Sequence, residues 1–272
     1  MAIYVGTDQI LKIYAGPVSG FDPDAQAFFT AVTGGGDTLT TTEENAVNQL
    51  VLDLKSANIW TSLQAIWPFV GGTASSQKWN LKDPRDLDAA YRMTFAGAGW
   101  THSADGVQQS NNNSTYGDTN YPQNTNDNTA GMSMGVYING GSNSPGYDLG
   151  CLSGAYAFII AGYGNNTFYS GYSVTNATGA FTMPNGFFVA DNNGTTSTGY
   201  RNGASVVSGG GARNLSLSLN PYLGNDNRGG PAAEATDRRY AFCFMGESLG
   251  STEQSDLYTA VQDFNTTLSR QV

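Results

Sequence analysis

The chain has 272 residues, a length that suits one large all-β domain with additions. Only 12% of its residues are charged, against 35 Gly and 15 Tyr, so its surface has to be made polar by Asn, Ser, Thr, Gly and Tyr. The formal net charge of -10 opposes the backbone of a nucleic acid, and no apolar run approaches the ~18 residues of a membrane span, which excludes nucleic-acid partners and membrane insertion.

The chain opens on an internal repeat: Ile3-Tyr4-Val5-Gly6 returns as Ile13-Tyr14-Ala15-Gly16, each copy a short strand closed by a glycine turn. Residues 1–20 are too few to bury a core, so Ile3, Tyr4, Ile13 and Tyr14 are expected to anchor the segment on the main domain or on another subunit. The segment lacks the basic and apolar regions of an export signal, so export by the usual route is not expected. The pattern Ile-x-Lys-Ile-Tyr-x-Gly over Ile10–Gly16 resembles the repeated N-terminal element of phage fibre and virion-attached proteins. That resemblance implies attachment to other virion proteins, a place in the virion after synthesis in the bacterial host cytoplasm, and, as in most fibres and spikes, a homotrimer.

Residues 21–74 read as a helical connector packed on a sandwich. Asp22-Pro23 supplies an N-cap and a proline at the first helical position, and Ala25, Phe28, Phe29 and Val32 follow at helical spacing up to Gly34. Thr41-x-x-Glu44 reads as a capping box opening a second helix, whose apolar face is Ala46, Val47, Leu50, Val51 and Leu54. Ile59, Trp60, Leu63, Ile66, Trp67 and Phe69 then crowd one short stretch, which is expected to plug one end of the sandwich and adds to the expectation of self-association.

From about Ser75 the period changes to 2. Met132, Met134, Val136 and Ile138 alternate with Ser133, Gly135 and Tyr137, and Leu215, Leu217 and Leu219 alternate with Ser216 and Ser218, which predicts strands with one face buried and one wet. Further strands are predicted at Tyr91–Phe95, Gly154–Ile160, Thr167–Val174, Gly186–Ala190, Ser205–Val207 and Arg239–Met245, so residues 75–272 read as a sandwich or barrel. Ser251-x-x-Gln254 reads as a capping box for a closing helix whose apolar face is Leu257, Ala260, Val261, Phe264 and Leu268. Cys151 and Cys243, each in an apolar strand-like stretch, read as two buried thiols, with a disulfide left open.

Arg201-Asn202-Gly203, Leu215 to Leu219, Tyr240 to Gly246 and the capped helix are similar to the closing strands of concanavalin A-like and laminin-G-like domains. With Asn80-Leu81-Lys82-Asp83-Pro84 they resemble the lectin-like domains of phage structural proteins, which implies a concanavalin A-like jelly-roll β-sandwich with a short N-terminal β-segment and a few peripheral helices. Some members of that class cleave polysaccharides with Glu-x-Asp-x-x-Glu on one strand. That pattern is absent here: no Glu lies between Ser56 and Ala233, and Asp105, Asp118, Asp127, Asp148 and Asp191 all fall in turn-like Asn and Gly contexts. The single His102 excludes histidine metal clusters, and the glycine runs at 34–36 and 209–211 lack the Lys-Ser/Thr of a phosphate loop, so no nucleotide cofactor is implied. Calcium is the one cofactor left open, through the oxygen-rich loops Asp118–Asp127 and Asp191–Gly194.

Aromatic and amide side chains crowd the predicted loops. Trp100, Tyr116, Tyr121 and Tyr169, with Asn165 and Asn166, are expected to contact a glycan or a protein partner by ring stacking and neutral hydrogen bonds. The sequence therefore reads as a non-enzymatic fibre, spike or decoration protein exposing a lectin-like domain to host-surface glycan, with a polysaccharide-degrading enzyme on the same jelly roll as the alternative.

Overall fold

A computed structural model describes residues 20–124, 131–142, 145–154, 156–163, 167–171, 176–180, 185–209, 211–212 and 218–272. The anchoring residues Ile3, Tyr4, Ile13 and Tyr14, the loop residues Asn165 and Asn166, and Leu215 and Leu217 lie outside the described residues.

Helix α1 (Pro23–Gly34) begins as predicted, with the Asp22 carboxylate accepting from the Asp24 amide at 3.0 Å and Pro23 in the first turn. Helix α2 (Thr41–Ser56) starts one residue earlier in its capping logic than the sequence suggests: Thr40 is the cap, and Glu43 accepts from the Thr40 amide at 2.8 Å. Two boxes one residue apart compete, and the one that wins also lets Glu43 accept from the Gly71 amide at 2.8 Å. Helix α4 (Ser251–Thr267) is capped by Gly250, whose amide donates to Glu253 at 2.7 Å. Ser251 is thus already helical, and Gln254 is buried against the strands instead of closing the box. A single turn, α3 (Ala74–Gln77), sits between α2 and the later strands.

Strand β1 (Leu63–Trp67) corrects the expected plug, because it pairs antiparallel with the last strand, β16 (Arg239–Gly246). Leu63, Ile66, Trp67 and Phe69 are buried inside the chain, and Trp60 carries the Lys82 ammonium 3.8 Å over its ring. That crowding therefore no longer argues for a trimer.

The first sheet runs β13 (Ala204–Gly209), β12 (Ser197–Arg201), β11 (Gly186–Asn192), β6 (Met132–Gly140), β16, β4 (Gly106–Gln109), β3 (Trp100–Ser103), with β1 beside β16. The second runs β10 (Asn176–Ala180), β9 (Thr167–Gly171), β8 (Tyr156–Tyr163), β7 (Leu149–Leu152), β14 (Tyr222–Leu223), β5 (Tyr116–Asp118), β2 (Thr94–Ala96), with the two-residue β15 (Asp226–Asn227) parallel to β7. All other pairings among the described residues are antiparallel, and the protein is an all-β sandwich with helices added on one side. The predicted strand at Tyr91–Phe95 begins only at Thr94, because Tyr91 is left-handed at φ 58° after a short turn. The Asn202-Gly203 hairpin joins β12 to β13 with both φ values positive, 49° and 76°, the geometry in which backbone twist matches the strands.

The alternation along β6 has a different cause from the expected wet face, since both of its faces are buried. Met132, Met134, Val136 and Ile138 face the second sheet in a core shared with Trp67, Phe188, Tyr240, Cys243, Met245, Leu149 and Cys151. Tyr137 points the other way, into a second core where Phe187, Phe242 and Phe244 meet α1, α2 and α4. The molecule thus has three layers: helices, first sheet, second sheet. Cys151 and Cys243 are both buried with free thiols, and burial pushes both far up from the ordinary thiol range.

Candidate functional site

The helical layer packs on the outer face of the first sheet; no described helix packs on the outer face of the second. Strand alternation decides what that second face shows. Ile159, Ala157 and Phe168 point inward, so Phe158 and Ile160 of β8 and Tyr169 of β9 point outward. Phe158 and Ile160 form the floor of a cavity of about 320 Å³, walled by Tyr147, Leu152, Tyr163, Tyr169 and Glu234. Its rings meet edge to face: Tyr147 and Phe158 at 5.3 Å between centroids, Tyr163 and Tyr169 at 5.9 Å. The floor is nearly buried and the tyrosines are partly exposed, with Tyr163 at 37%.

Gly150 explains how Tyr147 enters the wall. It lies on the outer face opposite both Phe158 and Tyr222, and a Cβ there would meet the Tyr147 ring at 2.5 Å. The missing side chain leaves the seat in which the Tyr147 ring lies. The Tyr147 amide donates to the Glu234 carbonyl at 2.9 Å, so one backbone contact fixes both walls. Glu234 is held left-handed at φ 62°, a conformation that costs a non-glycine residue about 1 kcal/mol or more and that the surrounding contacts impose.

An acidic group stands at this edge. Arg228 Nε donates to the buried Asp226 carboxylate at 2.7 Å, and its other arm reaches Glu234 at 3.5 Å, so one guanidinium spans the two carboxylates. Burial raises the Asp226 proton affinity, against the lowering effect of Arg228. The Tyr147 hydroxyl is pushed up to about 12 by burial and by Asp226, and therefore stays protonated as a hydrogen-bond donor.

The wall rests on a buried charge network next to Tyr147 in sequence. Asp148 and Arg238 are both fully buried and meet at 2.5 Å; Tyr240 donates to Asp148 at 3.0 Å, the Ala161 amide at 2.7 Å, and Arg238 donates to the Gly162 carbonyl at 2.7 Å. Every charged oxygen is met, the condition under which a buried pair is tolerated. This overturns the turn reading of Asp148, which ties β16 to β8 beneath the groove. Asp191 is likewise no turn residue: it lies on β11, accepting from Ser248 at 2.8 Å and the Leu249 amide at 3.1 Å, with burial raising it to about 6. Those contacts engage both Asp191 carboxylate oxygens. Asp118, on β5, accepts from the Asn120 amide at 2.8 Å and Asn220 at 3.0 Å, and among the described residues no three of His, Cys, Asp and Glu converge as metal ligands.

Of the site residues expected from sequence, Tyr169 lines the groove, and Tyr116 lies further along the same face, stacked on Tyr222 at 4.1 Å. Tyr121 is 0% exposed; its hydroxyl donates to Gln64 and its ring packs on Tyr91, so it has no surface to offer a ligand. Trp100 is an edge seal: its indole donates to the Tyr116 carbonyl at 3.3 Å and its ring abuts Phe95. His102 bonds Gln77 at 2.7 Å and packs on Phe95. Glu234, Asp226 and Tyr222 were missed, for they sit in short Asn, Gly and Pro segments that carry no periodicity.

No protein-family model matches the chain, and no curated protein matches it. Among solved structures it is similar to a mutant of Trypanosoma rangeli sialidase displaying trans-sialidase activity, at 11% identity and TM-score 0.52, over 80% of this chain and 39% of that one. Trypanosoma rangeli sialidase in complex with sialic acid matches at 12% identity and TM-score 0.50, over 78% of this chain and 38% of that one. Domain 4 of AbnA, a GH43 extracellular arabinanase from Geobacillus stearothermophilus, in complex with arabinotriose, gives 14% identity and TM-score 0.42, over 72% of this chain and 98% of that one. The chain spans about two fifths of the sialidase chains' length, and the likeness is one of fold. It corrects the expectation of a non-enzymatic protein. The fold occurs within sialidase chains, so a missing Glu-x-Asp-x-x-Glu does not set this chain apart from glycan-acting proteins.

Proposed function

We propose that the chain is a glycan-recognising sandwich which holds carbohydrate on the outer face of its second sheet, in the groove of Tyr147, Tyr163 and Tyr169. The observation that carries this reading is the groove itself: an apolar floor, tyrosine rings in its walls and one acceptor carboxylate, the mixture that stacks on sugar faces and bonds their hydroxyls. The sialidase-like fold supports it. In calorimetric titration against a glycan panel, Tyr169→Ala and Tyr163→Ala should each lower affinity about tenfold with unchanged circular dichroism. Unchanged affinity in both variants would remove the groove from the function.

A second reading, hydrolysis at the same groove, is favoured by Asp226 and Glu234. Glu234 lines the groove and is partly exposed, so it is the carboxyl that can reach a glycosidic oxygen, while the buried Asp226 acts on it through the shared Arg228 guanidinium. Release of reducing ends, lost in both Glu234→Gln and Asp226→Asn, would establish it; release that survives both substitutions would place the chemistry elsewhere.

The placement on a phage particle, with residues 1–20 as tether to other virion proteins and a homotrimeric assembly, is a finer proposal that rests on the N-terminal resemblance alone. Deleting residues 1–20 should leave a folded domain that no longer joins particles, and equal incorporation would refute it.

A further inference from the structure

We infer that the glycan bound is an extended, uncharged chain lying across the strands of the second sheet, with the Tyr116–Tyr222 pair as its far subsite. The inference rests on the glycan reading of the groove and adds ligand shape and charge to it.

The shape follows from register. Tyr222 of β14 stands opposite Asp118 of β5 and Gly150 of β7, and Gly150 opposite Phe158 of β8, so all occupy the outer face. Tyr116 is two residues from Asp118 on the same strand and shares that face; its ring stacks on Tyr222 with 10° between planes. Over Gly150, which stands opposite Tyr222, lies Tyr147, packed on Phe158 and lining the groove with Tyr169. From β5 to β9 the sheet order gives four strand steps, about 19 Å at ordinary strand spacing, the length of an oligosaccharide and far more than one ring needs. None of these rings is needed to fill a core, since both cores close without them.

The charge follows from the acidic side chains along the row. Asp118 lies beside Tyr222 and Glu234 walls the groove. Arg228, the cation at this edge, is held by Asp226 and Glu234. A sialylated or sulfated chain would meet Asp118 beside Tyr222 and Glu234 beside Tyr147 on a protein of net charge -10, whereas hydroxyls can donate to carboxylates. Burial and Asp118 hold the Tyr222 phenol far above its usual range, so it too is a neutral donor.

The test is a glycan array followed by titration of the intact chain with linear neutral oligosaccharides of increasing length and with sialylated and sulfated counterparts. Affinity should rise by about tenfold or more from monosaccharide to the longer neutral chains, with anionic counterparts weaker. Tyr222→Ala should remove most of the gain with length and leave the shortest ligand unchanged, while Tyr222→Phe should retain it; a folded-state control comes from that conservative variant. Affinity independent of length, or tighter binding of the anionic chains, would overturn the inference while leaving the groove reading intact. Absence of binding to every glycan would overturn both.

Discussion

The two outward faces of the sandwich differ in what covers them. On the first sheet Tyr137, Phe187, Phe242 and Phe244 are buried under α1, α2 and α4, whose apolar stripes match that face. The second sheet also turns aromatic rings outward, yet its Tyr116, Tyr147, Tyr169 and Tyr222 are only partly buried, and acidic groups stand among them. The lesson lies in the residue types. The covered face is mostly phenylalanine, which has no polar end, and its Tyr137 gives its hydroxyl to Gln262, whereas the partly exposed tyrosines of the second face keep their rings available for stacking. A covered face contributes stability, and the open face is where the proposed recognition would take place.

The largest effect that can break this comparison is expected from Asp148→Asn. It leaves Arg238 buried without its charge partner and should cost about 3–5 kcal/mol in urea denaturation, with glycan affinity falling as Tyr147 loses its support. A stability change below 1 kcal/mol would mean that the network is not what holds the open face. Leu50→Ala, in the helical layer, should cost about 2–5 kcal/mol with glycan affinity unchanged. Tyr163→Ala should do the reverse, changing stability by less than about 0.5 kcal/mol while weakening binding. If both variants shift both quantities, the division of labour between the faces fails.

The third expectation concerns pH. Asp191 is raised by burial from the ordinary carboxylate range to about 6, so the folded state holds its proton more tightly than the unfolded chain. Its contribution is full below pH ~4 and is lost as pH rises through about 6, on the order of 1–3 kcal/mol. Denaturation midpoints between those limits should show that slope in the wild type and a flatter one in Asp191→Asn, with glycan binding at fixed pH unaffected, because Asp191 serves the helical side, where it bonds Ser248 and Leu249 at the start of α4. An equal slope in both proteins would assign the pH dependence elsewhere.

The smallest effect is Glu234→Gly. A glycine placed in ordinary structure costs about 0.5–1 kcal/mol, but at φ 62° it relieves strain, so stability should hold or rise slightly while affinity falls. A clear loss of stability would show that the carboxylate is structural.

Much of the architecture was legible along the chain. Pro23 after Asp22, the α2 and α4 apolar stripes and the Asn202-Gly203 hairpin are local chemistry, and each formed where the residues called for it. Cap choice was not: Thr40 and Thr41 offer the same box, and only the Glu43 contact to Gly71 separates them. The candidate groove was half legible. Tyr169 and Tyr116, expected at the surface by their type, do stand on the outer face of the second sheet, but Tyr121 and Trp100, of the same types, are packed inside or along an edge. Composition cannot tell a ring that seals a core from one that faces water.

What the sequence determined by itself is the all-β class, the flanking helices and the low-charge, aromatic surface, because period, capping residues and composition act over a few positions at a time. Which side of each strand is covered was decided only by the tertiary structure. Met132 to Ile138 alternate as a half-wet strand would, yet helices far away in sequence dry the second face. Asp148 looks like a turn residue until Arg238, ninety positions later, meets it in the core. Glu234 becomes a groove wall only because the Tyr147 backbone docks on it. Burial and charge pairing are properties of neighbours in space, and those neighbours are set by strand register and by the layer that packs above.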